Sequence, residues 1–202
     1  MNSPLPLRAP ETPRERLIEA AVSEIERNGL SQLTVRGVAA AAEMNIAAVN
    51  YHFRSKQALV EAALESSITH LLEDTDALLA RLPGDPEQGL ADLIGYYLEG
   101  CLRYPRMSKA HLHAGFVADD YSGSFPTRFA PVLGRLRDAL CAALPELPAA
   151  TAAERVMAAF SAVFFPAFFA PLYQSLHTLD NPEQRARYAR EVARQAFTPV
   201  GK

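Results

Sequence analysis

Four stretches of this chain place a small polar residue three positions before Glu or Gln where a run with helical spacing begins. The stretches are Thr12-Pro13-Arg14-Glu15, Asp85-Pro86-Glu87-Gln88, Thr151-Ala152-Ala153-Glu154 and Asn181-Pro182-Glu183-Gln184. An oxygen at the first position accepts from the open amides of a new helical turn, and the Glu or Gln reaches back to the cap. Pro at the first helical position has the φ that a helix needs and no amide to lose. Each stretch therefore reads as a helix start. After Thr12, Leu17, Ile18, Ala21, Val22 and Ile25 form an apolar stripe that Gly29 closes. After Asp85, Leu90, Leu93, Ile94, Tyr97, Leu98 and Cys101 do the same, up to Tyr104. Helices are also expected from Pro105 to Val117, from Phe125 or Pro126 to Leu144, and from Asn181 to about Phe197. No alternating strand pattern competes, so the chain is expected to be all-α with about nine helices.

Thr34 to Lys56, TVRGVAAAAEMNIAAVNYHFRSK, is the most specific stretch. Thr34 is placed to cap a short helix with Val38, Ala41 and Ala42 on one side. Glu43-Met44-Asn45 interrupts it, and a second short helix runs from Ile46 to Phe53. Two short helices joined by a tight turn read as a helix-turn-helix, and the alanines let the helices cross closely. Ser55 then caps a fourth helix carrying Leu59, Ala63, Ile68, Leu72 and Leu79, with no breaker before Pro83-Gly84. About 25 residues at ~1.5 Å each give more than about 35 Å, long enough to join a small head to a larger body.

At Thr34-Val35-Arg36, Asn50-Tyr51-His52-Phe53 and Ser55-Lys56-Gln57-Ala58-Leu59 the chain resembles the TetR/AcrR transcriptional repressors. The likeness covers roughly the first third; beyond it only length and helical character agree. Two positions depart from the pattern. Glu43 stands in the turn where the family usually has Gly, which calls for either a less comfortable backbone there or a different turn geometry. Asn50 stands where many members have an aromatic residue, so an operator cannot be carried over from relatives. The division that follows is a flexible arm over 1–12, a helix-turn-helix DNA-binding domain over 13–58 and a ligand-binding and dimerisation domain over 59–202.

Charge supports a confined DNA contact. The 202 residues carry a net charge of −3, yet residues 1–60 hold seven basic and six acidic groups, leaving −4 on the rest. A near-neutral head on an acidic body fits a protein that touches DNA through one small face. No uninterrupted apolar run reaches the ~18 residues of a membrane span. The N-terminal stretch lacks a secretory layout. Cys101 and Cys141 have no metal-type spacing and read as free thiols of a cytoplasmic protein.

The second motif helix offers Ile46, Ala47, Ala48, Asn50 and Tyr51 and no Lys or Arg. Direct readout would rest on Asn50, whose amide can pair with adenine, and on thymine-methyl contacts from the small apolar residues. Asn45, at the start of this helix, is included in the DNA face. Val49 and Phe53 are assigned inward, as plugs of the head's core, and the same inward role is the alternative for Tyr51 and His52. The resemblance implies a base or phosphate contact for Arg36 and phosphate contacts for Thr34, Tyr51, His52 and Lys56, as their donors allow.

In the body, Phe160 to Tyr173, FSAVFFPAFFAPLY, carries two apolar stripes. Phe160, Phe164 and Phe168 form one; Phe165, Phe169 and Leu172 lie about 100° round. A helix apolar on two sides is covered on two sides. The resemblance implies that the second side, with Tyr188 and Val192, pairs with a second copy in a homodimer; a buried central helix is the alternative. Pro166 and Pro171 are expected to kink this helix. The resemblance also implies a small-molecule pocket among the middle helices, walled by Tyr97, Cys101, His111, Phe116, Phe129, Phe160 and Phe164 and suited to a hydrophobic or aromatic ligand.

His111 and His113, two apart, face opposite sides of a helix and cannot share a metal. No Gly-rich phosphate loop, Ser-His-Asp order, His-x-x-x-His or Cys-x-x-Cys occurs. The expectation is a DNA-binding repressor on a palindromic operator, released by a small ligand, with no cofactor, no metal, no membrane partner and no enzymatic activity. A DNA-binding regulator without a small-molecule effector is the alternative.

Overall fold

The computed structural model describes residues 12–173, 176 and 179–198. Residues 1–11 of the expected flexible arm lie outside the described residues. Within them the chain is all-α, with ten helices and no strand. They are α1 (Pro13–Asn28), α2 (Val35–Ala41), α3 (Ile46–His52), α4 (Lys56–Leu79), α5 (Pro86–Arg103), α6 (Pro105–Ala118), α7 (Ser124–Ala143), α8 (Ala149–Phe168), α9 (Ala170–Tyr173) and α10 (Pro182–Phe197), with a 3-10 turn at Leu30–Gln32.

Local chemistry sets most boundaries. Thr12 and Asn181 form complete capping boxes with Glu15 and Gln184. Asp85 Oδ1 accepts from the Gln88 amide at 3.1 Å, and Ser55 Oγ from the Ala58 amide at 3.1 Å. The start expected at Thr151 is corrected. α8 begins two residues earlier, with Pro148 at its cap and Thr151 inside the first turn. Pro148 holds φ −61 and ψ 141, an extended entry that ends the preceding loop by itself, and two alanines then carry the helix forward.

Of the two prolines after Phe160, Pro166 lies inside α8, and the helix breaks just before Pro171. α8 ends at Phe168, Phe169 leaves helical geometry at φ −119 and ψ 35, and α9 is a separate four-residue turn. Pro171 supplies no amide to the carbonyl one turn before it, so the ladder cannot run through. This break accounts for ten helices where nine were expected.

The chain divides into two compact units. The first holds the described residues up to Leu72 together with Tyr104–Thr127; the second holds Glu73–Arg103 and the described residues from Arg128 onward. α4 contributes to both. The core of the first unit joins Leu17, Ala21 and Ile25 of α1, Leu33, Val38 of α2, Val49 of α3, Phe53, and Leu59 and Ala63 of α4. Met107 and Ala110 of α6 belong to the same core, although they come some 45 residues later in sequence. Burying each of the larger side chains contributes about 1.5–3 kcal/mol.

Three hydrogen bonds, running in both directions, fix α6 against α1. Tyr104 stands at the N-cap of α6, where its side chain makes no capping bond. Instead Glu26 Oε2 accepts from the Met107 amide at 2.8 Å, filling an open donor of the first turn. Arg106 in turn donates to the carbonyls of Glu26 and Arg27, the open acceptors at the end of α1.

In the second unit, α5 packs on α8 and α10. Tyr97 is fully buried, shares a 2.6 Å hydrogen bond with Thr75, and stands edge-on to Phe129 and Phe160 with centroids 5.4 and 5.5 Å away. Burial of the Tyr97 phenol, with no charge to pair with, pushes its pKa above the ordinary value.

Candidate nucleic-acid interface

Glycine does not make the turn of the helix-turn-helix. Ala42 closes α2, and Glu43 follows at φ 55, in the left-handed region. The Glu43 amide donates to the Ala40 carbonyl at 3.1 Å and the Met44 amide to the Ala39 carbonyl at 2.8 Å. This pair of bonds satisfies the last carbonyls of α2 and turns the chain sharply. Of the two alternatives, the geometry of a glycine turn is kept, with strain on Glu43.

Asn45 then starts α3, its Oδ1 accepting from the Ala48 amide at 2.8 Å. Thr34 does the same for α2, its Oγ1 accepting from the Gly37 amide at 3.0 Å. These caps fix the rotation of both short helices. A Cβ on Gly37 would lie 3.1 Å from Thr34 Oγ1 and 3.2 Å from Glu24 Oε2, so the start of α2 passes closely over the buried Glu24 carboxylate. Glu24 is held there by Arg27 and Asn28, each donating at 3.0 Å. Sequence reasoning missed this support; a glycine in a first helical turn was the signal available.

Val49 and Phe53 point into the core, and the Arg14 guanidinium lies 5.2 Å above the Phe53 ring. With those anchors set, the remaining face of α3 is presented outward. Ile46, Ala47 and Asn50 are exposed, and Ala48 is half-buried. Tyr51 is 84% exposed, so it is no part of the core. Its ring meets the half-buried His52 edge-on at 5.1 Å. Thr34, Arg36, Asn45 and Lys56 are exposed around the motif. The face is therefore small, apolar and amide-bearing at its centre, with cationic groups only on the flanking elements.

The residues assigned to a ligand fall into different surroundings. Tyr97 and Cys101 are buried in the second unit, where Tyr97, Phe129, Phe160 and Phe164 pack ring against ring at 5.3–6.0 Å. Phe129, Phe160 and Phe164 also line an open groove of about 620 Å³ between α7 and α8. His111 and Phe116 belong to the first unit. Phe116 is 74% exposed, on the outside of α6. His111 faces a cleft of about 720 Å³ beside α4. Its Nε2 shares a 2.7 Å hydrogen bond with Ser67 Oγ, and burial of the ring pulls its pKa down to about 4, against a smaller opposing pull from Glu65. His113 is exposed. Among the described residues no group of three or more His, Cys, Asp or Glu is placed to hold a metal ion. No described helix is long and apolar enough to cross a membrane.

The second apolar stripe of α8 is turned outward. Phe165 is 53% exposed, with Phe169 at 40% and Leu172 at 69%. Tyr188 and Val192 of α10 are half-buried, and the Tyr188 hydroxyl donates to the Ala162 carbonyl at 2.8 Å, which ties α10 to α8.

Residues 17–63 match the model of the family described as bacterial regulatory proteins, tetR family. Among curated proteins no significant match was found. Several solved structures are similar over nearly the whole chain. A protein described as a TetR-family transcriptional regulator from Mesorhizobium loti MAFF303099 superposes with a TM-score of 0.65 at 12% identity, covering 92% of this chain and 95% of its own. A transcriptional regulator from Rhodococcus sp. RHA1 gives 0.62 at 21% identity, over 92% and 96%. Multidrug binding protein EbrR, complexed with malachite green, gives 0.54 at 23% identity, over 95% and 100%. At these identities the likeness is one of fold.

Proposed function

We propose that this chain, whose residues 17–63 match the model of the bacterial tetR regulatory proteins, is a DNA-binding regulator of that family, a homodimeric repressor released from a palindromic operator by a small molecule. The observation that carries this reading is the outward face of α3. Its caps and core plugs hold Ile46, Ala47, Asn50 and Tyr51 in the open, with Thr34, Arg36 and Lys56 beside them. Asn50 reads a base edge, the methyl-bearing residues meet thymine, and Thr34, Tyr51, His52 and Lys56 hold phosphates. Arg36 takes a guanine edge or a phosphate.

One such face reads too few bases for a unique site. Two, set about 34–36 Å apart by a two-fold axis, read adjacent major grooves. The exposed Phe165, Phe169 and Leu172 offer an apolar surface for that pairing, with Tyr188 and Val192 alongside. α4 begins next to the DNA-binding motif and continues into the second unit, so a ligand that favours one position of α4 changes the separation of the two heads. The ligand shifts this equilibrium only by its differential affinity for the two states. EbrR, a structure of similar fold, is a multidrug binding protein, which supports a small-molecule effector here.

The test is binding of the full chain to fragments of its own upstream DNA, followed by fluorescence anisotropy over a salt series. The expected result is a tight complex of one or two dimers on a palindrome, with affinity falling steeply with salt. Affinity no better than for random DNA on every fragment would refute the operator reading.

A further inference from the structure

The first turn of α1 meets the corner between α3 and α4 at one aromatic ring. Phe53 is the C-cap of α3 and is 4% exposed. Over its ring lies the guanidinium of Arg14, with the central carbon 5.2 Å from the ring centroid. The quadrupole of an aromatic face attracts a cation placed there. Contact with a ring leaves most of the five N–H donors of a guanidinium available. Arg14 itself is exposed. Phe53 thus fixes where the group sits without removing it from solvent.

The same corner carries two further cations. Arg54 follows Phe53 directly, and Lys56 opens α4 after the cap Ser55; all three residues are exposed. Arg14, Arg54 and Lys56 therefore come from α1, the corner and α4, and converge on the end of α3. The neighbours of Arg14 in α1 are occupied elsewhere. The Glu15 carboxylate accepts from the Thr12 amide at 3.0 Å, as part of the helix cap. Arg16, about 200° round the helix, lines a groove beside the turn of the motif with Glu19, Arg27 and Glu43. An apolar side chain would cover Phe53 as well as Arg14 does. A guanidinium covers it and also places a charge with planar donors next to Lys56, a geometry that suits a phosphate.

We propose that Arg14 is a further DNA-backbone contact, positioned by Phe53 and acting beside Lys56 on a phosphate. The proposal rests on the DNA-binding reading above and extends the contact surface from α2, α3 and α4 to α1. Phe53 then has two roles, as a plug of the core and as the platform of a phosphate ligand. The contact carries no sequence information of its own; it anchors the head on the duplex.

The test is binding of the full chain to a fluorescein-labelled random-sequence duplex and to its own upstream fragment, by anisotropy over a salt series. Arg14→Met keeps an unbranched apolar stem for Phe53 and drops the charge. It is expected to lower the slope of log affinity against log salt by about 0.9 on both DNAs. The deficit relative to the parent chain then shrinks about 3.5-fold between about 50 and about 200 mM salt. Arg14→Lys keeps the charge and should keep the parent slope. Arg81→Gln removes the same charge from an exposed position in the second unit and should leave the slope unchanged. The slope counts ions released, so a fixed fraction of unfolded variant does not alter it, and circular dichroism melts identify such a variant. A parent-like slope in Arg14→Met, an equal fall in Arg81→Gln, or a loss confined to the upstream fragment would each overturn the proposal. In all three the parent chain still binds its operator. Failure of the regulator reading shows instead in the parent chain, as the absence of specific, salt-sensitive binding before any variant is compared.

Discussion

Glu43→Gly should make the protein more stable. Glu43 sits at φ 55, directly after the cap of α2, with its own amide and that of Met44 both closing onto α2 carbonyls. A residue with a Cβ pays about 1–2 kcal/mol to enter this region. Glycine enters freely, but loses about 0.4–1 kcal/mol more backbone entropy on folding. The Glu43 side chain is exposed, so little packing is lost with it. The balance is a gain of about 0.5–1 kcal/mol. For a chain of this length each kcal/mol moves the melting midpoint by ~2–4 °C, so a rise of roughly 1–4 °C is expected. The assay is thermal unfolding by circular dichroism, with Glu43→Ala as the control that removes the carboxylate and keeps the Cβ. The alanine variant should melt near the parent chain, and the glycine variant above both. A glycine variant that melts no higher than the alanine one would refute the claim that backbone strain is stored at this turn.

His111 gives a pH signature. Its folded pKa of about 4 lies below the ordinary 6.5, because burial disfavours the charged ring. The unfolded chain therefore takes up the proton first. The stabilisation is complete above about pH 6.5 and is lost as pH falls toward 4, by at most about 3 kcal/mol. Urea unfolding from pH 7 to 4.5 should show this slope, and His111→Gln should flatten it. Glu26→Ala removes the side chain that accepts from the Met107 amide at the start of α6 and should cost about 1–2 kcal/mol in the same assay. Asn50→Ala should cost about 1–3 kcal/mol on the operator and relax preference at one base pair, whereas Lys56→Ala should weaken all sequences alike and lower the salt slope by about one unit; equal losses for Asn50→Ala on specific and random DNA would remove its assigned role. Phe165→Glu should yield monomers in sedimentation velocity, with helicity retained and operator affinity lowered at least ~10-fold, since it places a charge in the proposed apolar pairing surface.

What the sequence made legible is chemistry completed within a few residues. Thr12, Thr34, Ser55 and Asn181 cap helices because the amides they satisfy lie three positions away. The same rule misplaced the start of α8, because Thr-x-x-Glu is equally at home inside a helix and Pro148 had already set the boundary. Periodicity gave the two stripes of α8, but packing alone decided that Phe160 turns in and Phe165 out. The cap of α6 was out of reach, since its acceptor, Glu26, lies 81 residues earlier. The cleft was missed for a related reason. Glu61 and Asp120 look like solvated surface charges until folding brings α4 and the α6–α7 loop to one cavity.

The late arrival of α6 in the core of the first unit bears on how this protein is made. Residues up to Ala63 leave the ribosome before Met107 and Ala110, which complete that core, have been synthesised. At ~5–20 residues per second the interval is roughly 2–9 seconds, long compared with helix formation or collapse. During it the nascent DNA-binding motif lacks the cover that α6 gives to α1. A fragment ending at the family-model boundary, residue 63, is held permanently in that state. The recognition motif is short in sequence, but its stability is conferred late, by a helix from the middle of the chain.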